Sequence, residues 1–249
     1  MSSRFIKYYA YAVMVIMTLV IIEALCCQSA NAKERFIYDI SVLNAKAATA
    51  VMVYKHDKHE GRKVLKLFGT LETKGNWKEV YPLRDQVMSV IDENTFPIQS
   101  FMELDRKKNK HVFSLNFGSK RIKGTKKIND RKEKAILRKM NIPTHDLISW
   151  VDYLRNLKFE LKKPFSFKVF SGNRFYKVVG VPTKIEDVWT RSGLISAYKI
   201  EALVTNTRKK KKFNKRVEAW ISADEKRLPL QMIFASILGE IRVLLTDVK

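Results

Sequence analysis

"RKVLKLFGTLET", residues Arg62 to Thr73, puts Leu65, Leu67 and Leu71 on one side of an extended chain and Lys66, Thr70 and Glu72 on the other. Successive side chains of a strand point to opposite faces, so this period of two marks a strand with one buried face. "RFIYDISVL" repeats the pattern with Phe36, Tyr38, Ile40 and Val42. It recurs in "PIQSFMELD", "KHVFSLNF", "PFSFKVF", "RFYKVVGV", "GLISAYKIEALVT", "RVEAWIS", "LPLQMIFASI" and "EIRVLLTDV". Between these runs lie "HDKHEGR", "KGN", "RKKNK", "SGN" and "SADEKRLP", which carry turn residues. Roughly ten to twelve strands at hairpin spacing predict a mainly β protein, an antiparallel curved sheet rolled into a barrel or half-barrel. No longer fixed period is present, which argues against a propeller. The basic stretch 120–139 reads either as a strand edged with charge or as a mobile loop.

One segment has a different period. In "NIPTHDLISWVDYLRNL", Leu147, Ile148, Trp150, Val151, Leu154 and Leu157 recur at helical spacing. Thr144 after Pro143 is placed to cap the N-terminus, and Arg155 in the last turn suits the helix dipole. The prediction is a single amphipathic helix of about four turns, Thr144 to Leu157, closing the open face or mouth of the sheet.

The N-terminus carries an address. Arg4 and Lys7 precede the uncharged run from Ala10 to Ile22, and "SANA" follows with Ala30 and Ala32 at small-residue positions. This three-part pattern predicts a secretory signal peptide over residues 1–32 and one β-barrel-like domain over 33–249. An uncleaved anchor is the other reading, although the run is short for a span and Glu23 ends it. Cys26 and Cys27 follow Leu25, a poor context for lipoprotein processing, and both lie upstream of the expected cleavage point. The exported part therefore has no disulfide, no cysteine nucleophile and no cysteine-based zinc site. The expected location is the periplasm of a Gram-negative envelope, free or membrane-associated.

Charge then sets the question of partners. The chain has 48 Lys and Arg against 25 Asp and Glu, a net charge of +23. "RKKKKFNKR" concentrates Arg208, Lys209, Lys210, Lys211, Lys212, Lys215 and Arg216 in nine residues without an acid. Such a surface attracts polyanions. Outside the cytoplasm these are anionic lipid or another envelope polyanion, and nucleic acid is not expected. Phe213 stands alone, without the interleaved aromatics that single-stranded nucleic acid requires. A solvated hairpin tip that blocks edge-to-edge association is the competing explanation.

The order of motifs resembles the exported bacterial family known as domain of unknown function 3108. The resemblance rests on Asp146, Leu147, Ser149, Tyr153, Leu154 and Arg155 in the helical segment. It continues in Trp220, Ser222, Asp224, Arg227, Pro229 and Gly239, and "SVIDENTFP" (Ser89 to Pro97) matches an earlier segment. It implies an exported, lipocalin-like β-rich fold and transfers no catalytic residue. The long lysine runs depart from the family pattern.

Catalytic signatures are missing. No G-x-S-x-G elbow and no glycine-rich phosphate loop occur, so neither a nucleophile nor a cofactor is assigned. His56, Asp57, His59 and Glu60 read as a hairpin tip, because two histidines three apart lack a rigid third ligand, and no metal is assigned. Asp146 with Arg155 reads as helix-end electrostatics and Asp224 with Arg227 as turn chemistry. Leu67, Phe68, Phe113, Phe117, Phe165, Phe167, Phe170, Tyr198, Trp220 and Phe234 are expected to line the concave side, as core or around a ligand cavity. The reading that follows is a non-enzymatic exported protein that holds or docks to an anionic amphiphile such as lipid. An assembly factor binding a partner protein or the cell wall, and a hydrolase of envelope polymers, are the alternatives.

Overall fold

The computed structural model describes residues 33–106, 109–191, 193–206, 214–236 and 238–249. Its strands run β1 (Lys33–Val42), β2 (Ala45–His59), β3 (Arg62–Thr73), β4 (Leu83–Ile91), β5 (Pro97–Arg106), β6 (Asn109–Phe117) and β7 (Arg121–Ile128). They continue with β8 (Lys134–Lys139), β9 (Phe165–Phe170), β10 (Phe175–Thr190), β11 (Gly193–Asn206), β12 (Asn214–Ser222), β13 (Pro229–Ser236) and β14 (Gly239–Val248). Two helices interrupt them, α1 (Trp77–Val80) and α2 (Ser149–Asn156). The signal pattern of residues 1–32 lies outside the described residues.

All 14 strands form one antiparallel curved sheet, in the order β8-β7-β6-β5-β4-β3-β2-β1-β14-β13-β12-β11-β10-β9. Every neighbour is a hairpin partner except β1 and β14, which join the two halves of the chain at the centre of the sheet. The segment 120–139 is a hairpin, β7 with β8, whose inward Ile122 and Ile136 are buried among its exposed charges. Those two apolar residues suffice to seat the strands, because alternation commits a whole strand face to the core.

The two edges, β8 and β9, are consecutive in sequence, so residues 140–164 cross from one to the other. The sheet curls without closing. Phe170 of β9 packs with Met102, Phe113, Leu115, Ile122 and Ile136 of β5 to β8. Beyond β9, Gly172 has φ +77°, and a Cβ there would stand 2.7 Å from the Phe113 ring. Only glycine allows that approach. A second cluster joins Phe36, Tyr38, Tyr54, Leu67 and Trp220 under Ile148, and a third joins Leu154, Phe159, Phe167 and Ile221. Leu67, Phe113, Phe167, Phe170 and Trp220 are thus buried core, distributed over the three clusters. Phe68, expected on the concave side, is exposed at 38%.

The helix is shorter than its periodicity. It spans 8 residues, Ser149–Asn156, about two turns rather than four. His145 is held extended: its N–H donates to Lys168 O and its carbonyl accepts from Phe170 N, both at 2.8 Å, so it extends the β9 edge. Thr144 is not the cap; its hydroxyl donates to Ile142 O. Ile148 stands at the N-cap position without a side-chain bond, and Asp146 ties the turn before it to the first residue of the helix. Its Oδ1 accepts from the N–H groups of Ile148 (3.0 Å) and Ser149 (2.8 Å), and Ser149 Oγ accepts from Asp146 N–H at 3.0 Å. This reciprocal arrangement satisfies donors that a helix start leaves free.

Candidate functional site

Helix α2 presents one side to the core through Val151 and Leu154 and another to the mouth of the sheet. On the mouth side Arg155 Nη1 donates to Glu34 Oε2 at 2.9 Å, and its Nε to Lys226 O at 3.3 Å. The guanidinium lies 4.8 Å from the Tyr54 ring centroid and 5.1 Å from that of Phe36. Arg155 is therefore a clamp between α2 and strands β1 and β2, which goes beyond the helix-end role expected of it.

Around this clamp opens a pocket of about 670 Å³. Ligand pockets commonly occupy about 300–1,000 Å³. Its walls come from segments far apart in sequence: Glu34, Tyr54 with His56, Asp92 with Glu93 and Thr95, Asp152 with Arg155 and Asn156, and Glu225 with Lys226. Val64, Leu65 and Ile91 add an apolar part. Burial raises the Asp152 carboxyl to about 6, opposed by the Arg155 charge. Burial also pushes the Tyr54 hydroxyl up, well beyond an ordinary phenol.

Ser149, His145 and Asp146 also meet, with Ser149 Oγ 3.4 Å from His145 Nδ1. They do not make a nucleophilic triad. All three are essentially fully buried, and no carboxylate orients the imidazole: Asp146 Oδ1 accepts from two backbone amides, and neither Asp146 Oδ2 nor His145 Nε2 has a hydrogen-bond partner among the described residues. His145 stacks on Phe96 at 4.9 Å, and burial lowers it to about 4, so it is a neutral core residue.

The other motif residues brace the fold. Tyr153 packs 4.9 Å from His145 and 5.4 Å from Phe167. Trp220 Nε1–H donates to Glu186 Oε1 at 2.7 Å. Ser222 Oγ–H donates to Asp224 Oδ1 at 2.6 Å, and Arg227 donates to Ala223 O at 3.0 Å while its guanidinium covers the Tyr198 ring. Pro229 opens β13, and Gly239 (φ +106°) opens β14. The histidines of "HDKHEG" belong to β2, which continues to His59; only Glu60 and Gly61 form the turn.

Of the predicted basic cluster, Arg208 to Lys212 lie outside the described residues. Lys215 and Arg216 open β12, and Lys215 Nζ donates to Ala235 O at 2.9 Å. A second basic surface emerges on the β7–β8 hairpin. Residues 120–139 contain ten Lys and Arg against Asp130 and Glu133. Register pairs Arg121 with Lys139 and Lys123 with Leu137, which places these residues with Lys127 on the outer face, opposite buried Ile122 and Ile136. Leu137 is 56% exposed and Ile142 just beyond it 47%.

The sequence reading missed the pocket and left 120–139 open between a strand edged with charge and a mobile loop. The signal for the strand was visible: Ile122 stands between bases in "KRIK". The pocket had a fainter one, since "SVIDENTFP", the α2 segment and "AWISADEKRLP" each contribute residues to it.

The fold is that of an open, β-barrel-like protein. The family model for "Protein of unknown function (DUF3108)" matches residues 37–246, and the chain belongs to that family. Among solved structures, the chain is similar to a β-barrel-like protein of domain of unknown function DUF1849 from Brucella abortus, with TM-score 0.56 and 13% identity over 87% of this chain and 97% of that one. It is also similar to a candidate exported protein with a YmcC-like fold from Bacteroides fragilis, with TM-score 0.41 and 8% identity over 87% and 95%. No curated protein matches the sequence.

Proposed function

We propose that the protein is an exported, non-enzymatic binding protein of the cell envelope that docks to an anionic lipid surface through the outer face of the β7–β8 hairpin. One observation carries this reading. On that face Arg121, Lys123, Lys127 and Lys139 are exposed and form no ion pair among the described residues, and Leu137 is exposed between them. Each base near an anionic bilayer contributes about 1 kcal/mol. An apolar side chain among such bases adds burial in the interface. Export rests on the N-terminal pattern of residues 4–32. Docking is favoured over enclosure of an acyl chain because the large apolar side chains of the concave face are packed together as core.

Sedimentation with vesicles tests it. The full exported chain is expected to pellet with phosphatidylglycerol-containing vesicles at low salt, and not with phosphatidylcholine alone. Replacing Arg121, Lys123, Lys127 and Lys139 with Gln should remove most of the binding, and added salt should remove the difference. Equal binding by the two proteins at low salt overturns the proposal, and capture of a partner protein without vesicle binding favours the assembly-factor reading.

A further inference from the structure

The mouth pocket inverts the charge balance of the molecule. Across the chain Lys and Arg outnumber Asp and Glu by 48 to 25. In the pocket wall the order reverses: five carboxylates, those of Glu34, Asp92, Glu93, Asp152 and Glu225, stand against Lys63, Arg155 and Lys226. Arg155 is committed to Glu34 and to the Lys226 carbonyl, and Asp92 Oδ1 to the N–H groups of Asn94 and Phe96. Asp152 is different. It is 7% exposed, accepts from the Asn156 amide at 3.3 Å and has no ion pair among the described residues. A buried carboxylate without a direct ion pair is costly to a fold, and the nearby Arg155 charge offsets that cost for Asp152 only in part.

One further group in the same wall lacks what its burial demands. Thr95 is 8% exposed, and its hydroxyl oxygen has no hydrogen-bond partner among the described residues, whereas the Tyr54 hydroxyl is turned to the Arg155 guanidinium. Buried polar groups are nearly always satisfied. Thr95 is also held at φ 68°, rare for a β-branched residue, inside the turn that Asp92 ties together. Strain of this kind gathers where ligands are gripped.

We infer that this pocket binds a small organic cation, a ligand with a primary ammonium group. An ammonium has three N–H donors and no acceptor. It matches a wall of carboxylate and hydroxyl oxygens and gives Asp152 a direct ionic partner in addition to the nearby Arg155 charge. A free anion would meet the wrong sign here. The next pocket described, beside Lys120, Arg121 and Lys123, has the opposite balance.

The test uses the full exported chain and three probe amines, ethanolamine, putrescine and glucosamine, each set against its neutral hydroxy counterpart, ethylene glycol, 1,4-butanediol and glucose. Carboxyl carbon NMR follows the titration of Asp152. At least one amine is expected to lower the Asp152 midpoint and raise the melting temperature, while its neutral counterpart does neither. Asp152→Asn should weaken the amine about tenfold or more. Thr95→Val should weaken it severalfold, which keeps the test decisive if Asp152→Asn misfolds. The inference is overturned if no amine moves the Asp152 titration, if the neutral counterparts act equally, or if the folded variants bind as wild type does.

Discussion

Arg155 Nη1 meets Glu34 Oε2 at 2.9 Å across the mouth of the sheet, tying a helix residue to one 121 positions earlier. The pair is asymmetric: the Arg155 side chain is 14% exposed and that of Glu34 51%. Most of the contribution of Arg155 should therefore come from its seat on Phe36 and Tyr54, not from the ion pair. Arg155→Ala is expected to cost about 2 kcal/mol and Glu34→Gln less than about 1 kcal/mol. Urea unfolding of the two variants checks this, and equal losses would show that the ion pair dominates.

The start of α2 hangs on Asp146. Asp146→Ala should cost about 1–2 kcal/mol, because the Ile148 and Ser149 amides lose their acceptor in a buried setting. Asn keeps an accepting oxygen at the same place, so Asp146→Asn should lose much less. Thr144→Ala, at the cap expected from the sequence, should be milder than Asp146→Ala. Thermal melts of the three rank them.

Leu154 is 6% exposed in the cluster beneath α2. Leu154→Asp places an unpaired charge there and should leave the chain largely unfolded, costing more than about 4 kcal/mol. Circular dichroism decides it; a wild-type melt would mean that this helix face is not buried.

Gly124 of β7 shows how the basic hairpin is seated. A Cβ on it would fall 2.0 Å from the Ser114 carbonyl oxygen and 2.9 Å from Leu115 Cα, both backbone atoms of β6. Gly124→Val should loosen β7 and β8 from the sheet. Faster amide exchange confined to 121–139 is the expected readout. Neutralising Arg208 to Lys212 to Gln should instead leave the melting temperature nearly unchanged, because the β11–β12 ladder of the described residues, from Ala197↔Ser222 to Thr205↔Asn214, holds the two strands together.

Two buried groups should oppose each other in acid. Asp152 binds its proton more readily folded than unfolded, about 6 against 3.8, so its contribution to stability falls as pH rises from about 4 to 6. His145 is lowered by burial from 6.5 to about 4, so the unfolded chain binds that proton more readily and stability rises with pH over the same window. Each effect is on the order of 3 kcal/mol, and their slopes should largely cancel between pH 4 and 6. Asp152→Asn removes the falling arm. Its stability should climb with pH across that range where the wild type stays flat, as denaturant titrations at several pH values would show.

How much of this was legible in the sequence varies by element. Phe36 with Tyr38, and Leu65 with Leu67 and Leu71, reveal strands because alternation is local: each residue's face follows from its neighbours two positions away. The helical period of Leu147 to Leu157 is local too, but where the helix begins is not. His145 is drawn straight by Lys168 and Phe170, residues more than 20 positions later, and no nearby signal competes with those backbone bonds. The curl of the sheet, with Phe170 against Phe113, depends on the same long-range closure. The pocket is the extreme case. Tyr54, Thr95 and Asp152 are each unremarkable in sequence, and only the crossing of α2 over the strands buries them in one wall. Local periodicity determined the mainly β class of this chain. Tertiary packing decided the helix boundary, the seat of Arg155 and the polarity of the pocket, because burial and charge balance depend on which distant segments meet.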